Sequence, residues 1–577
     1  MKLKSLEVKN FRNFEEIKVG MSNQSVIFGM NDVGKTNLLF ALRFLLDRDI
    51  RKNGFVKSDF HLSDTTKKIE ILLEIDISDY EDEDTKKIVS KVKGARTTEN
   101  LDTFYFKLEG EFEEKELFGN PILLWGNDLK NLQMIPQRGD FSDLDRVFKV
   151  VYIDPTIELD GIFKKNRKNL FDETNKSAKD IQLSDDIQEN IRELNSNISN
   201  MEMIKAVEKN LTKNYRALKD EEINIELKSE LVVNGFLNNL VPYIKRDGDK
   251  NYYPTSGDGR KKLLAYSLLN HLTLQEYQDK IVIYLIEEPE NSLHRSMQIA
   301  LSKQLFCNKV YDYFILSTHS PELLYEMDNT ELIRISFIGK VEGYSYLYNV
   351  NDEYSKVKKK LNKSLAEALF SERVLLIEGP SEQILFERIL SDVKPNYELE
   401  GGYLLVVNGI AFNTYIEVFK KLGIECFVKT DNDLKAKTSD KSMHDLIGLN
   451  RCLEIVGEEK KEAVQIVYTD GATKKDKKIQ QNEEKKKITN VYKKEIDSLK
   501  DKGIYLSGID LEHDLQEALG ERMSEILGKT DPINYLQNKK LYNMVEFVEK
   551  MEEKDSKTIY SHPLFWCLKK MCGENDD

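Results

Sequence analysis

The sequence predicts an α/β protein in two parts, each built on a sheet whose strands end in functional groups. Two observations carry this. Near the N-terminus a strand, SVIFG, runs through the glycine loop GMNDVGKT into the apolar helix NLLFALRFLL. In the second half, VLLIEGPSE, YLLVVNGIAFNTYIEVFKKLG and ECFVKTDND alternate strand and helix, and three strands, those of VLLIEGPSE, ECFVKTDND and GIYLSGIDLEHD, end in carboxylates. The expected parts are residues 1–350, with a helical insertion at about 156–222, and 351–577, with a lysine-rich insertion at about 438–502.

Composition sets the frame. A chain of 577 residues with 40% hydrophobic content exceeds one core and fills roughly two to four domains. No apolar run approaches the ~18 residues of a membrane span, so a soluble, cytoplasmic protein is expected, with no membrane partner. The cysteines (Cys307, Cys426, Cys452, Cys567, Cys572) form no CxxC pair and have no histidine at zinc spacing, so they read as reduced thiols filling core. A net charge of -14 opposes non-specific adhesion to nucleic acid, and any DNA binding must use a local basic surface or bound metal.

The first element, KLKSLEVKNFRNF, alternates as a strand and ends in a turn. In the loop that follows SVIFG, Gly29, Gly34, Lys35 and Thr36 fit G-x-x-x-x-G-K-[ST] in its strand–loop–helix setting. Glycines let backbone N–H groups face phosphate oxygens, Lys35 adds charge at the outer phosphates and Thr36 can ligate Mg²⁺. Asn31 and Asn37 complete the nucleotide-binding candidates of this loop and helix. From Lys67 to Asp154 the alternating segments KIEILLEIDI, TFYFKLEGEF and VFKVVYID read as a mostly antiparallel sheet.

Between Ile187 and Leu218 apolar residues recur at threes and fours on an otherwise polar helix. Such a stripe either packs on its own domain or mediates self-association. Nucleotide chemistry then returns in three places. Ser256 and Gly257 precede a helix as a second small-residue anion site. The strand IVIYLI ends in Glu287 and Glu288, one to hold Mg²⁺ through water and one to orient an attacking water. The strand YFILSTHSPELL presents His319 at its polar end.

Taken in order, NFRNF, GMNDVGKT, SGDGR, LIEEPENSLH and STHSPELL resemble the ATPase half of ABC-type DNA-repair proteins, and most of all the overcoming-lysogenization-defect (OLD) nucleases. The resemblance implies that Ser256 and Gly257 of one subunit meet a nucleotide held by Lys35 of another. Two positions depart from the ABC pattern: Glu287 stands where an aspartate is usual, and SGDGR is a loose signature. Both point to slow turnover, which suits a sensor better than a motor.

In the second half, acids gathered at one sheet edge repel one another unless cations are bound. Two Mg²⁺ ions ~3.5–4 Å apart would relieve that repulsion and could hold both the attacking water and the leaving oxygen of a phosphodiester. The Glu-then-DxD arrangement is similar to a Toprim domain, as in topoisomerases, primases and OLD nucleases. That resemblance implies Glu378, Glu382, Asp431, Asp433, Asp510 and Glu512 as ligands of Mg²⁺ or Mn²⁺. It also implies Glu378, Asp431 and Asp510 as catalytic groups, with Lys540, or its neighbour Lys539, at the scissile phosphate. Asp514 is expected to face solvent on the following helix. The lysine-rich insertion (TKKDKKIQQNEEKKK) reads as a solvated segment or as one that shares in binding DNA backbone.

The expected protein is thus an ABC-type ATPase domain followed by a Toprim domain with helical C-terminal additions. The resemblance implies a metal-dependent DNA endonuclease of bacterial antiviral defence, self-associating as dimer or tetramer, with a helicase-like partner and ATP as regulatory ligand. The alternative is a RecF- or SMC-like repair clamp with a non-catalytic Toprim domain. Retained acids at three strand ends oppose it, since an inactive domain has no reason to bear their repulsion.

Overall fold

The computed structural model describes residues 1–30, 33–92, 102–138, 141–156, 159, 161–162, 177–218, 224–229, 243–244, 253–254, 257–277, 279–409, 411–469 and 471–574. The chain divides into two compact units. One comprises Met1–Asp154, Lys280–Glu290 and His294–Asp577; the other comprises Pro155–Asp279 with Asn291–Leu293. Among the described residues no helix is long and apolar enough to cross a membrane.

The first unit begins as an antiparallel sheet in the order Phe14–Gly20, Lys2–Phe11, Ile69–Asp76, Thr103–Glu113, Phe118–Gly126 and Gln133–Met134. Period-two alternation turns Leu6, Val8, Ile71, Leu73, Phe106 and Leu108 to the core. A second sheet runs Phe148–Ile153, Ile281–Glu287, Phe314–Ser317, Gln24–Phe28, Thr330–Ile338 and Lys340–Tyr348. Its strands are parallel except for the last pair, which is antiparallel. VFKVVYID therefore belongs to this parallel sheet and not to the antiparallel one. Its buried Val150, Val151 and Ile153 form the near-continuous apolar run that a two-sided strand needs. The helix Lys35–Leu46 contacts strands of both sheets, and its Leu38, Leu42 and Leu45 share one core with Leu73, Phe106, Ile27 and Ile283.

Parallel pairing fixes the first site. Gln24–Phe28 lies between Phe314–Ser317 and Thr330–Ile338, and Ile281–Glu287 pairs with Phe314–Ser317. The glycine loop, Glu287 and the Ser317–His319 turn thus leave neighbouring strands at the same edge, outside the carboxyl ends where α/β sheets bind ligands.

Further along the same unit comes a four-stranded parallel sheet in the order Gly402–Val406, Arg373–Ile377, Glu425–Thr430 and Ile504–Leu506. Helices Pro380–Val393, Leu511–Leu519, Lys540–Lys550, Glu553–Ser561 and Trp566–Met571 supply its core, through Phe386, Leu515, Met544, Phe547 and Leu568. Asp514 is buried there and does not face solvent: it pairs with Lys429 at 2.6 Å, and it accepts from the Gly508 N–H at 3.2 Å. The reason is helical phase. Asp510 caps Leu511–Leu519, and the residue one turn later returns to the face against the sheet. Removing one partner of such a pair leaves a buried unpaired charge, a cost of about 3–5 kcal/mol.

In the second unit the apolar stripe is carried by two helices, Ala178–Ser199 and Glu202–Leu218, where the sequence periodicity read as one. The break falls at Asn200, which caps the first helix with φ near -97° and ψ near 2°. Residues 224–229 run alongside, with Leu227 N donating to Glu208 Oε1 at 2.8 Å and Ser229 Oγ to Asn195 Oδ1 at 2.8 Å. Leu194, Met201, Val207 and Leu211 remain exposed on this pair.

Candidate metal centre and nucleotide site

The candidate nucleotide site turns on two glycines whose backbone conformation strains any other residue. Gly29 has φ +147°, and a Cβ there would lie 2.2 Å from the Ile335 carbonyl oxygen; Gly34 has φ +113°, with Asn13 equally close. Lys35 opens the helix, is buried, and its Nζ donates to the carbonyls of Gly29 (3.1 Å) and Met30 (2.7 Å). Glu287 accepts from Thr36 Oγ1 on one oxygen and from the Tyr152 hydroxyl on the other. His319 Nε2 lies 3.4 Å from Glu288 Oε1, and burial, with Lys35 nearby, holds the imidazole below its usual pKa. Asn37 is tied to the NFRNF turn: it donates to Asn13 Oδ1 (2.8 Å) and accepts from Arg12 (3.0 Å). Gly257 precedes the helix Asp258–Glu276 in the second unit. Asn31 and Ser256 lie outside the described residues.

Two residues of this site went unread in the sequence. Tyr152 shares Glu287 with Thr36. Glu290 accepts from Thr318 Oγ1 (2.9 Å) and His319 N (2.5 Å), fixing the turn that carries His319; its burial raises its pKa. The PENSLH run held Glu290, but no spacing rule singled it out.

The carboxylate centre forms where the Toprim-like strands end. Glu378 follows Arg373–Ile377, and its Oε1 accepts from Thr430 Oγ1 (2.5 Å), Asp431 N (3.1 Å) and Arg451 Nη1 (2.5 Å). Asp431 follows the next strand and accepts from Leu511 N at 3.0 Å. Burial, then the charges of Glu378, Glu382 and Asp510, push its pKa well above the carboxylate range. Glu382, on the first turn of Pro380–Val393, is raised to about 7 by burial and by Glu378. Asp510 runs the other way. Burial opposes its ionisation, but His513 outweighs that with an N–H at 3.0 Å and a ring nitrogen at 2.5 Å, and the carboxyl stays below its usual pKa. Gln537 donates to its other oxygen at 2.7 Å.

Glu512 is 1% exposed, with its pKa raised by burial against the pull of Lys540, whose Nζ is 3.7 Å from Oε1. Lys540 responds to Glu512, Asp431, Glu382 and Asp510 together, and its pKa is raised despite partial burial. Lys539 caps the helix Lys540–Lys550 in the left-handed conformation. Asp433 stands at the rim, half-exposed, 3.8 Å from Lys485 of the lysine-rich insertion.

Arg451 and Lys485 are additions that only the tertiary structure reveals. Both come from the segment read as an insertion. Its helix Ile447–Ile455 approaches the Asp431–Asp433 loop so closely that a Cβ on Gly448 would lie 2.3 Å from the Asp431 carbonyl oxygen.

A divalent cation fits the donor set in kind. The donors are hard oxygens, Glu512 Oε2 is buried without a hydrogen-bond partner among the described residues, and the raised Asp431 and Glu382 are groups a cation would return to the ionised form. No three of these side chains already stand in a coordinating arrangement among the described residues.

The shift at Glu382 has a measurable consequence in metal-free protein. The folded chain keeps that proton up to about pH 7, whereas the unfolded chain releases it near 4.5. The folded state binds more protons in that window, so stability falls as pH rises from 4.5 through about 7 and is level above. In EDTA, the urea midpoint should drop between pH 5 and pH 8, and Glu382→Gln should remove about 1–3 kcal/mol of that drop. Equal pH dependence in wild type and variant would mean that Glu382 ionises normally.

With the geometry in view, comparison with known proteins places the chain. It matches the model of the AAA ATPase domain over residues 1–122 and 145–324. It matches that of the overcoming lysogenization defect protein-like TOPRIM domain over residues 369–433. The Endonuclease GajA of Bacillus cereus (strain VD045) is 54% identical over 576 residues, covering 100% of both chains. The Endonuclease GajA of Bacillus cereus (strain HuB5-5) is 23% identical over 542 residues, 78% of this chain and 77% of its own. The OLD nuclease of Thermus scotoductus (strain ATCC 700910 / SA-01) is 23% identical over 455 residues, 75% of this chain and 82% of its own. With that identity along its full length, the chain belongs to the GajA family, in which an AAA ATPase domain is followed by an OLD-like Toprim domain.

Proposed function

We propose that this protein is a DNA endonuclease that hydrolyses phosphodiesters at the carboxylate centre with Mg²⁺ or Mn²⁺, and that ATP bound at the glycine loop regulates it. Residues 1–350 form the nucleotide-responsive part and 351–577 the nuclease part. The observation that carries this reading is the cluster of Glu378, Glu382, Asp431, Asp510 and Glu512, with Lys540, at the carboxyl ends of one parallel sheet. A clamp with an idle second domain has no use for carboxylates held in mutual repulsion.

Bound metal would supply Lewis acidity and lower the pKa of water. The chain's own groups do the rest. His513 and Gln537 orient an ionised Asp510; Thr430, the Asp431 amide and Arg451 hold Glu378 by one oxygen. Lys540 offsets negative charge that builds on the phosphoryl group as water's oxygen bonds to phosphorus and the departing oxygen leaves with a proton. Supercoiled plasmid should be cut by the purified protein in Mg²⁺ or Mn²⁺ and remain intact in EDTA. Glu378→Ala should lower the rate at least about a hundredfold with unchanged ATP binding. Wild-type rates from that variant would remove Glu378 from the centre.

Regulation has a physical route within the first unit. Phe28, at the end of the strand that feeds the glycine loop, meets Phe370 at 5.9 Å between ring centroids. Arg334, on the neighbouring strand, donates to the carbonyls of Leu422 (3.3 Å) and Gly423 (2.6 Å) in the Toprim part. Nucleotide that favours one setting of the loop by ~1–3 kcal/mol can bias the other part through these contacts. ATP, with free Mg²⁺ held constant, should inhibit cleavage by wild type, even without hydrolysis. Lys35→Ala should bind ATP roughly 10–100-fold more weakly, as expected for loss of one charge-assisted contact, and should resist inhibition. Identical ATP responses in the two proteins would overturn the coupling.

The proposal extends to assembly. The exposed Leu194, Met201, Val207 and Leu211 support self-association, as dimer or tetramer, through the second unit. Leu194→Asp with Ile198→Asp should lower the sedimentation mass; an unchanged mass assigns the stripe to its own unit. Family membership supports a cytoplasmic role in antiviral defence beside the helicase-like GajB, which co-purification with tagged GajB would test.

A further inference from the structure

Arg451 belongs to the segment that reads in sequence as an insertion, yet its guanidinium reaches the carboxylate centre. The helix Ile447–Ile455 lays Gly448 against the Asp431–Asp433 loop, and Gly448 N donates to the Asp433 carbonyl at 3.0 Å. Arg451, three residues on, lies on the same helix face and is thereby aimed at Glu378. Nη1 donates to Glu378 Oε1 at 2.5 Å and to Thr430 Oγ1 at 2.6 Å. Among the described residues these are its hydrogen bonds. The side chain is 29% exposed and borders a cleft of about 370 Å³ that opens directly beside Glu378.

The walls of that cleft have two characters. Tyr354 offers ring surface, Phe412 lines the cleft as a buried ring, 4% exposed, and Asn413 offers an amide. Tyr354 is held by the Ala411 N–H, which donates to its hydroxyl at 3.2 Å, and the guanidinium carbon of Arg451 is 5.7 Å from the Phe412 ring centroid. Arg451 is the cation of a lining that also holds Glu378 and Glu454. A ligand with one anionic group and one flat face suits this lining: a nucleotide, its phosphate on the fork of Arg451 and its base against the Tyr354 ring. The volume lies within the range of small-ligand sites.

We propose that this cleft receives the DNA nucleotide next to the scissile phosphodiester, with Arg451 joining substrate to centre: one nitrogen fixes Glu378 while the rest of the guanidinium binds the strand's phosphate. The inference rests on the endonuclease reading and adds to it a substrate subsite. Because Glu378 Oε1 is saturated by Thr430, the Asp431 amide and Arg451, its other oxygen is the one left to face a cation. Arg451 therefore acts on metal binding and on DNA by separate contacts. A lysine can keep the first but lacks the planar fork for the second.

The test uses the full chain as wild type, Arg451→Ala, Arg451→Lys and Tyr354→Ala, with Mn²⁺ affinity titrated calorimetrically without DNA and plasmid cleavage resolved into kcat and KM. Arg451→Ala should weaken Mn²⁺ binding about tenfold and cleavage about a hundredfold. Arg451→Lys should bind Mn²⁺ within about threefold of wild type yet cleave at least about tenfold more slowly. Tyr354→Ala should raise KM about tenfold at unchanged Mn²⁺ affinity. Cleavage by Arg451→Ala within about threefold of wild type overturns the proposal, as does a slow Arg451→Lys whose loss of Mn²⁺ affinity accounts for its loss of rate. If Arg451→Ala does not fold, Arg451→Lys and Tyr354→Ala decide it by the same criteria. If wild type itself leaves plasmid intact in Mg²⁺ and Mn²⁺, the endonuclease reading fails, and the subsite falls with it; Mn²⁺ affinity then still reports whether Arg451 holds Glu378.

Discussion

Glu378, Glu382, Asp431, Asp510 and Glu512 are brought out of water at one edge of a four-stranded parallel sheet, and their repulsion is the constraint on which this part of the molecule turns. Burial alone disfavours each charge, and each neighbour adds to the cost. The surroundings answer in different ways for different acids. His513 keeps the Asp510 pKa low against its burial, whereas Asp431 and Glu382 stay protonated more readily. Lys540 counters Glu512, and Arg451 counters Glu378. Behind the sheet, the buried Lys429–Asp514 pair anchors the helix that begins at Asp510 to the strand that ends at Thr430.

The nucleotide half follows a different principle. Its geometry depends on close backbone approach, with Gly29 against Ile335 and Gly34 against Asn13, and on a rigid parallel sheet that delivers Glu287 and the Thr318–His319 turn to the same edge. Its charged groups are met by neutral hydrogen-bonding partners: Lys35 by the loop carbonyls of Gly29 and Met30, Glu287 by the hydroxyls of Thr36 and Tyr152, Glu290 by Thr318 and the His319 amide. Phe28–Phe370 and Arg334–Gly423 then give the two sheets a shared mechanical boundary. A packed aromatic pair and a buried arginine bound to carbonyls resist separation, because neither can yield without leaving a void or an unpaired donor.

The legible features of the sequence were the local ones. Gly29 to Thr36 needed contiguous residues in one backbone path, and apolar runs ending in Glu378, Glu287, Asp431 or Asp510 marked strand ends. Errors arose where burial depended on a partner far along the chain. VFKVVYID looked like its antiparallel neighbours because alternation does not report which strand lies beside it. Asp514 looked exposed because its lysine partner lies 85 residues earlier. The stripe from Ile187 to Leu218 kept its period across Asn200, so the break between two helices was invisible.

By itself, then, the sequence determined the order of strands, loops and helices, the glycine loop and the identity of the clustered acids, because these depend on backbone preferences and hydrophobic period over a few neighbouring residues. Only the tertiary structure decided how those acids are compensated. Arg451 reaches Glu378 across 73 residues, Thr36 reaches Glu287 across 251, and Lys485 turns toward Asp433 from within a run of lysines that reads in sequence as solvated or as bound to DNA backbone. A charge interacts with whatever lies within a few ångströms, whatever the distance along the chain, and that neighbourhood exists only once the sheets have closed and water has been displaced.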